Sequence, residues 1–264
     1  MIGAILGDVV GSVYEFDGIK TKEFELFDRY CMFTDDSVMT IAVAEALMKF
    51  DEINDDNIGQ FRETLIDTMH EIGNKYEDCG FGGFFGTWIC SKFRKPYGSY
   101  GNGSAMRVSS VGWYAKTLEE AQLIAAASAE VTHNHPEGIK GAVATAGAVF
   151  LARSGASMEE IKDYISGYYT IDFTLDEIRP DYQFDETCQG SVPQAMQSFF
   201  ESVSFEDAIR NAISLGGDSD TLGAITGAVA EAYYGIPDDL AQTALSFLDL
   251  YLFDIVTKFK EKYK

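Results

Sequence analysis

The chain has 264 residues, of which 46% are hydrophobic and 23% are charged, an ordinary composition for a globular protein that can bury a substantial core. Its 20 basic and 42 acidic residues give a net charge of −22, which argues against non-specific binding to nucleic acid or to anionic membranes. An anionic ligand would need a local positive field, supplied by metal ions or by helix N-termini.

Cysteine spacing and hydropathy indicate the compartment. The cysteines form neither a CxxC pair nor a zinc-site pattern, so we expect free thiols at Cys31, Cys79, Cys90 and Cys188. The N-terminal segment MIGAILGDVVG is too short and too rich in glycine for a signal peptide. The longest apolar run, 141–152, is shorter than the roughly 20 residues of a membrane span. We therefore expect a soluble, cytoplasmic protein, with a monomer as the default.

Helical periodicity dominates the chain from its first third to its end. Apolar residues recur every three to four positions over the segments 37–50, 57–72, 118–131, 137–153, 157–166, 191–201, 205–215, 221–234 and 238–260. Pro136 and Pro193 fall near predicted helix starts, and Gly235-Ile236-Pro237 is a helix stop. The one strand-like segment is 168–175. These patterns predict an all-α fold, one domain over residues 1–264, with at most a minor β element.

Two short acidic clusters carry the strongest chemical signal. Thr34-Asp35-Asp36 and Asp218-Ser219-Asp220-Thr221 each open an apolar helical segment, and Gly216-Gly217 precedes the second. Helix capping alone would explain either cluster, because an acid or a threonine there accepts backbone N–H bonds. If the fold joins the two clusters, however, their carboxylates cannot remain together unpaired. Since every offered ligand atom is an oxygen, one or two hard divalent cations are the natural partners.

Three further features could belong to the same site. Glu15 is a further acid that precedes the first cluster, although a solvent-facing glutamate is the simpler interpretation. The glycine-rich loop 99–107 could cradle phosphates with its backbone N–H groups, with Tyr100 stacking on a base, or it could be a plain connection. In His133-Asn134-His135 the spacing is poor for a zinc pair, which leaves either one histidine lining the site or a polar turn before Pro136.

Taken together, these residues resemble the ADP-ribosylglycohydrolase family, whose members include dinitrogenase reductase-activating glycohydrolase and the ADP-ribosylarginine and ADP-ribosylserine hydrolases. The paired TDD and DSDT motifs are the specific part of the resemblance, and it covers most of the chain. The matching segments are GAILGDVVGSVYEF at 3–16, FTDDSVMT at 33–40, YGNGSAMR at 100–107, THNH at 132–135 and GGDSDTLGAITGAVAEAYYGIP at 216–237.

The resemblance implies a compact orthogonal bundle of helices with a binuclear magnesium or manganese centre at helix N-termini. It implies metal ligation by Thr34, Asp35, Asp36, Asp218, Asp220 and Thr221. It implies that diphosphate and distal ribose are bound by Ser99, Tyr100, Gly101, Asn102 and Gly103, with His133 as a further ligand contact. The catalytic carboxylate is open among Glu15, Asp35, Asp36 and Asp218, and Glu15 remains the candidate if metals occupy the aspartates. Residues 168–190 match no motif with a role.

The expected activity is therefore metal-dependent hydrolysis of the glycosidic bond in ADP-ribosylated acceptors, with ADP-ribosylarginine as the first choice. The bond breaks through an oxocarbenium-like state, in which hard metals would hold ribose hydroxyls and activate water. Three alternatives stay open from the residues alone. They are a binuclear-metal phosphohydrolase, a non-catalytic ADP-ribose binder, and an immunity protein that reverses or blocks a toxin's ADP-ribosylation.

Overall fold

The computed structural model describes residues 1–263, and every regular element in that range is a helix. One isolated antiparallel bridge, Gly101 to Thr187, is the minor β element. The helices are α1 (Ile2–Gly11), α2 (Asp35–Met48), α3 (Ile58–Gly73), α4 (Gly83–Cys90), α5 (Gly103–Met106), α6 (Ser109–Tyr114), α7 (Leu118–Glu130), α8 (Pro136–Arg153), α9 (Met158–Ser166), α10 (Leu175–Ile178), α11 (Cys188–Phe200), α12 (Phe205–Ile213), α13 (Ser219–Tyr234), α14 (Asp238–Ser246) and α15 (Leu250–Lys262). The predicted all-α fold is confirmed.

Helix α1 packs against α13 at the centre of the molecule, and glycines form the contact. A Cβ atom added to Gly7 would overlap the carbonyl oxygen of Gly223, and one added to Gly3 would overlap that of Gly227. One turn further on, a Cβ on Gly11 would lie 2.5 Å from the Cα of Asp220. The two backbones therefore touch directly, which is possible only where neither helix carries a side chain.

The remaining helices enclose this pair. Helix α13 also packs against α8, α11 and α12, while α2 packs against α1, α3 and α15. Helix α13 is buried from Ser219 to Ala230, as expected of a helix without a polar face. The small-residue segment of α8 is likewise buried, at Gly141, Ala142, Ala144, Thr145, Ala146, Gly147 and Ala148. Both segments occupy the core, where backbones approach closely.

The helices α2 and α13 each begin at an N-cap residue that belongs to one of the two acidic clusters. Thr34 is the extended N-cap of α2 and its hydroxyl accepts a hydrogen bond from the Asp36 N–H at 3.3 Å. Asp218 is the N-cap of α13 and follows Gly216 and Gly217, whose φ angles are +65° and +77°. Two consecutive left-handed residues turn the chain sharply, which aims Asp218 back toward α2.

The structure corrects three expectations about local structure. The segment 238–260 is two helices, because Asp249 caps α15 by accepting the Leu252 N–H at 2.9 Å. The strand-like segment 168–175 forms no strand, and its last residue begins the short helix α10. Pro193 lies inside α11, because Thr187 caps that helix earlier than the apolar pattern suggested. All four cysteines are free, as predicted. None of the helices described combines the length and the hydropathy that a membrane crossing would need.

Replacing Gly7 with alanine tests the contact between α1 and α13. The added methyl group meets backbone that cannot yield, so Gly7→Ala should lower the free energy of unfolding by about 2–3 kcal/mol in urea denaturation. Gly59→Ala is the matched control, because Gly59 is also helical and a Cβ there meets nothing within 4 Å. This control should be neutral or stabilising by less than about 1 kcal/mol. Equal stability of the two variants would contradict the assigned contact.

Candidate active site

The two acidic clusters meet at the N-termini of α2 and α13. The Thr221 hydroxyl of the second cluster donates to Asp36 Oδ2 of the first at 3.2 Å. The Thr34 hydroxyl of the first lies 3.4 Å from Asp220 Oδ2 of the second. The sequence prediction that the fold would join these two motifs is thus met, although they are nearly two hundred residues apart in the chain.

Glu15 reaches the same cluster from the loop after α1. A carboxylate oxygen from each of Glu15, Asp218 and Asp220 lies within 4.8 Å of the others. The Glu15 side chain is half-buried, and it makes no hydrogen bond to any residue that the structure describes. Like Asp35, it therefore has no hydrogen-bond partner that fixes the position of its carboxylate.

Asp8 is an acid of this cluster that sequence reasoning missed. It is fully buried within α1, where it accepts the Thr34 hydroxyl at 2.6 Å and the Thr34 N–H at 3.0 Å. It also accepts the Ser37 N–H at 3.1 Å and the Ser37 hydroxyl. These hydrogen bonds to Asp8 hold α1 against the start of α2. The available signal was a lone acid in an otherwise apolar, glycine-rich helix, which is costly to bury without partners.

Burial and mutual repulsion set the protonation of the cluster. Burial raises the pKa of Asp35, Asp36 and Asp220 well above the ordinary value, and the neighbouring carboxylates raise it further. Burial also raises the pKa of Asp8 and Asp218 to about 6, while their hydrogen bonds act in the opposite direction. The pKa of Glu15 rises to about 7 through burial and through Asp220 and Asp8. Without a cation, the cluster therefore holds protons that isolated carboxylic acids would release.

The donor set fits one or two hard divalent cations. The candidate ligand atoms of the cluster are carboxylate and hydroxyl oxygens, which magnesium and manganese prefer. Asp36 Oδ1 is buried and has no hydrogen-bond partner among the described residues, so a strong acceptor there is left without a donor. The predicted ligands Asp218 and Asp220 form, together with Glu15, the set whose carboxylate oxygens lie within 4.8 Å of one another. The predicted ligands Thr34, Asp36 and Thr221 lie beside this set, and Asp35 lies in the wall of the adjoining cleft. Both threonine hydroxyls keep oxygen lone pairs available, since each donates its own proton to a carboxylate.

A cleft of about 790 Å³ adjoins the acidic cluster, with Asp35 in its wall. A volume of this size can take a nucleotide-sized ligand. The predicted ligand-contact residues in its wall are Ser99, Tyr100, Gly101, Gly103 and His133. Arg107, the last residue of the loop 99–107, is also in its wall, and the residues that were not foreseen there include Phe84, Phe85, Tyr97, Glu186 and Thr187.

Asn102 has a different position from its neighbours in the loop. Its side-chain amide donates to Asp218 Oδ2 at 2.7 Å and to the Ser191 hydroxyl at 2.9 Å. Its backbone N–H donates to the Glu186 carbonyl at 2.8 Å. Asn102 thus ties the glycine loop to the acidic cluster, and its side chain is directed at Asp218 rather than at the cleft.

Part of the segment 168–190, for which the sequence suggested no role, supports the loop. The bridge between Gly101 and Thr187 is extended by the Cys188 N–H, which donates to the Tyr100 carbonyl at 3.0 Å. Glu186 contributes to the cleft wall from the same stretch. These contacts join residues that are far apart in the chain, so no local sequence pattern predicts them.

The histidine pair divides into two positions. His133 is 5% exposed and belongs to the cleft wall, while His135 is the N-cap of α8 and accepts the Glu137 N–H at 3.1 Å. The two rings therefore do not form a zinc pair. One histidine lines the site and the other starts a helix, so each of the two open interpretations applies to a different residue.

Comparison with known proteins agrees with this geometry. The ADP-ribosylglycohydrolase family model matches residues 1–257. ADP-ribosylhydrolase ARH3 from Mus musculus is 26% identical over 330 residues, covering 94% of this chain and 86% of its own. The Homo sapiens protein of the same name is 26% identical over 318 residues, covering 89% and 84%.

The fold is also found in a solved structure, an ADP-ribosylglycohydrolase-related protein complex. It superposes with a TM-score of 0.67 at 20% identity, covering 100% of this chain and 97% of the other. At this level of identity the likeness concerns the fold. With the family match over nearly the whole length, the chain belongs to the ADP-ribosylglycohydrolase family and is a glycosidic-bond hydrolase.

Proposed function

We propose that this protein uses divalent metal ions to hydrolyse the bond between ADP-ribose and an ADP-ribosylated acceptor, with arginine as the acceptor and free ADP-ribose as the product. One observation carries the proposal. A cluster of buried oxygen ligands from α2, α13 and Glu15 opens into a cleft large enough for a nucleotide. Sugar hydroxyls belong at the acidic end, and the diphosphate belongs at the glycine loop.

The glycine loop supports the binding of the diphosphate. Ser99, Tyr100, Gly101 and Gly103 face the cleft, where glycines let backbone N–H groups approach phosphate oxygens. Arg107, fully buried, adds a positive charge to the same wall. A strongly acidic protein thereby offers an anion one local region of favourable potential. The rings of Phe84, Phe85 and Tyr97 provide apolar faces on which a base can stack.

The acidic cluster supports the bond cleavage. Bound divalent ions would supply Lewis acidity and a template for ribose hydroxyls and water. Glu15 is the carboxylate that we assign to proton transfer, because its oxygen lies within 4.8 Å of those of Asp218 and Asp220 and burial raises its pKa to about 7. Asp8 holds the N-terminus of α2 against α1, and Asn102 orients Asp218.

Charge in the cleft wall and an exposed aromatic pair that includes the residue after Glu15 support arginine as the acceptor. Glu186 lies in the cleft wall, and the net charge of −22 attracts a guanidinium group. Phe16 follows Glu15 and stacks on Phe184 with ring centroids 6.3 Å apart, and both rings are exposed. Planar guanidinium groups stack readily on such aromatic faces.

Metal dependence can be tested by thermal unfolding and by turnover. Manganese or magnesium at about 100 times its Kd should stabilise the folded protein by about 2.7 kcal/mol, which raises Tm by roughly 5–10 °C. A chelator should reverse this shift and stop the release of ADP-ribose.

The variant Asp218→Asn/Asp220→Asn should lose the metal-induced shift and the activity while keeping its helical circular dichroism. The matched control is Asp238→Asn/Asp239→Asn, which removes equal charge from the exposed first turn of α14. Turnover that persists in the first variant would refute the assigned centre.

Glu15→Gln tests the proton-transfer role. It keeps the side-chain volume but removes the titrating group, so kcat should fall by a factor of about 10² or more. The Kd for ADP-ribose, measured by calorimetry, should change by less than about threefold. Glu23→Gln, an exposed glutamate in the same loop, should change neither quantity. Unaltered kcat in Glu15→Gln would exclude Glu15 as the catalytic carboxylate.

A panel of acceptors separates the reaction class from the acceptor. Peptides that carry ADP-ribosylarginine should release free ADP-ribose faster than matched ADP-ribosylserine peptides. Phe16→Ala should lower kcat/KM for the arginine peptide several-fold without altering ADP-ribose affinity, whereas the exposed Leu250→Ala should change neither. Faster release from serine would overturn the choice of acceptor only. Release of inorganic phosphate instead of ADP-ribose would overturn the reaction class.

A further inference from the structure

A fully buried arginine stands behind the cleft without an anionic partner. Arg107, 1% exposed, forms no ion pair with any residue in the range 1–263. Its Nη2 group donates to the Ser128 carbonyl and to the Thr132 hydroxyl, each at 2.9 Å, while its Nε is buried without a partner. Buried arginines are usually paired, so one left with neutral acceptors suggests a task other than stability.

Thr132 connects Arg107 to His133 in the cleft wall. Its hydroxyl oxygen lies 2.7 Å from Nδ1 of His133. The hydroxyl has one proton to donate, and it already accepts the arginine N–H. Among the described residues, Nδ1 of His133 is the only acceptor for the proton of this hydroxyl, so the hydroxyl donates its hydrogen bond to that nitrogen. Nδ1 is then unprotonated, and the ring proton lies on Nε2.

The other ring nitrogen points to the ligand side. A Cβ atom added to Gly103 would lie 3.2 Å from Nε2, and one added to Gly101 would lie 3.6 Å from it. Nε2 therefore lies against the glycine loop, in the wall of the cleft, and it hydrogen-bonds no group in the part of the chain that the structure describes. With that tautomer, an N–H donor without a partner is thus presented beside Gly101 and Gly103 in the cleft wall.

The ring is also held neutral. Burial, with the charge of Arg107, lowers the pKa of His133 well below its ordinary value. A neutral imidazole has one donor and one acceptor, so the tautomer decides what it offers to a ligand. With the opposite tautomer, Nε2 would direct a lone pair at a phosphate oxygen and repel it.

We propose that Arg107 and Thr132 are positioning residues that hold His133 as its Nε2–H tautomer, so that this ring donates a hydrogen bond to the diphosphate of the ligand at the glycine loop. The identity of that ligand rests on the proposed function, whereas the tautomer does not. The two parts can therefore fail separately, and two kinds of measurement are needed.

The first measurement is the tautomer itself, read from long-range ¹H–¹⁵N correlations of the full-length protein at neutral pH. Only three histidines are present, and His133→Gln assigns the resonance of interest. We expect a pyridine-like Nδ1 and a pyrrole-like Nε2 in the wild type. Thr132→Ser keeps the hydroxyl and should preserve this pattern, whereas Thr132→Val and Arg107→Met should shift the ring toward a mixture. A protonated Nδ1 in the wild type would overturn the proposal.

The second measurement is the affinity for ADP-ribose by calorimetry. Thr132→Val should raise the Kd about tenfold, the equivalent of one hydrogen bond to a charged group, and Thr132→Ser should stay within about twofold. Thr132→Val with unchanged tautomer and unchanged affinity would show that the contact is only structural. If the wild type fails to bind ADP-ribose while the Nε2–H tautomer is found, the proposed function fails and the positioning of His133 stands.

Discussion

The direct contact of two glycine-lined backbones, α1 against α13, is the constraint on which the site depends. Gly7 and Gly223 touch, and the next residue after Gly7 is Asp8, while Asp220 lies in the first turn of α13, three residues before Gly223. A side chain at this crossing would force the helices apart and separate the acids. Glycine weakens an isolated helix, but here it allows the approach that creates the cluster.

Electrostatics imposes a second constraint, since buried carboxylates oppose folding unless donors or cations face them. Two helix N-termini, the donors to Asp8 and the amide of Asn102 offset part of that cost. A divalent ion would offset the remainder, which links ligand binding to stability. Arg107 places the opposite charge in the same cleft. The same cavity therefore has an acidic end that can bind cations and a basic wall that can bind anions. A molecule that carries both sugar hydroxyls and a diphosphate matches this arrangement.

A sequence prediction succeeded where its physical cause lies within a few residues of the chain. The acidic clusters were recognisable because N-caps and glycine turns act within a few residues, and the all-α class followed from periodicity. Asp8 escaped notice because its partners, Thr34 and Ser37, are distant in the chain. The segment 238–260 was wrong as one helix, since the cap at Asp249 interrupts a continuous apolar pattern.

The sequence by itself determined the family, the helical class and the residue types that can bind hard cations, because these depend on short motifs and on spacing along one helix. Only the tertiary structure decided that Asn102 orients Asp218, that residues 186–188 support the glycine loop, and that Arg107 and His133 share a hydroxyl. Those relations are contacts between elements, and their geometry depends on how closely helices approach. The periodicity of apolar residues in the sequence does not predict the distance between helices, because that distance arises from packing in three dimensions.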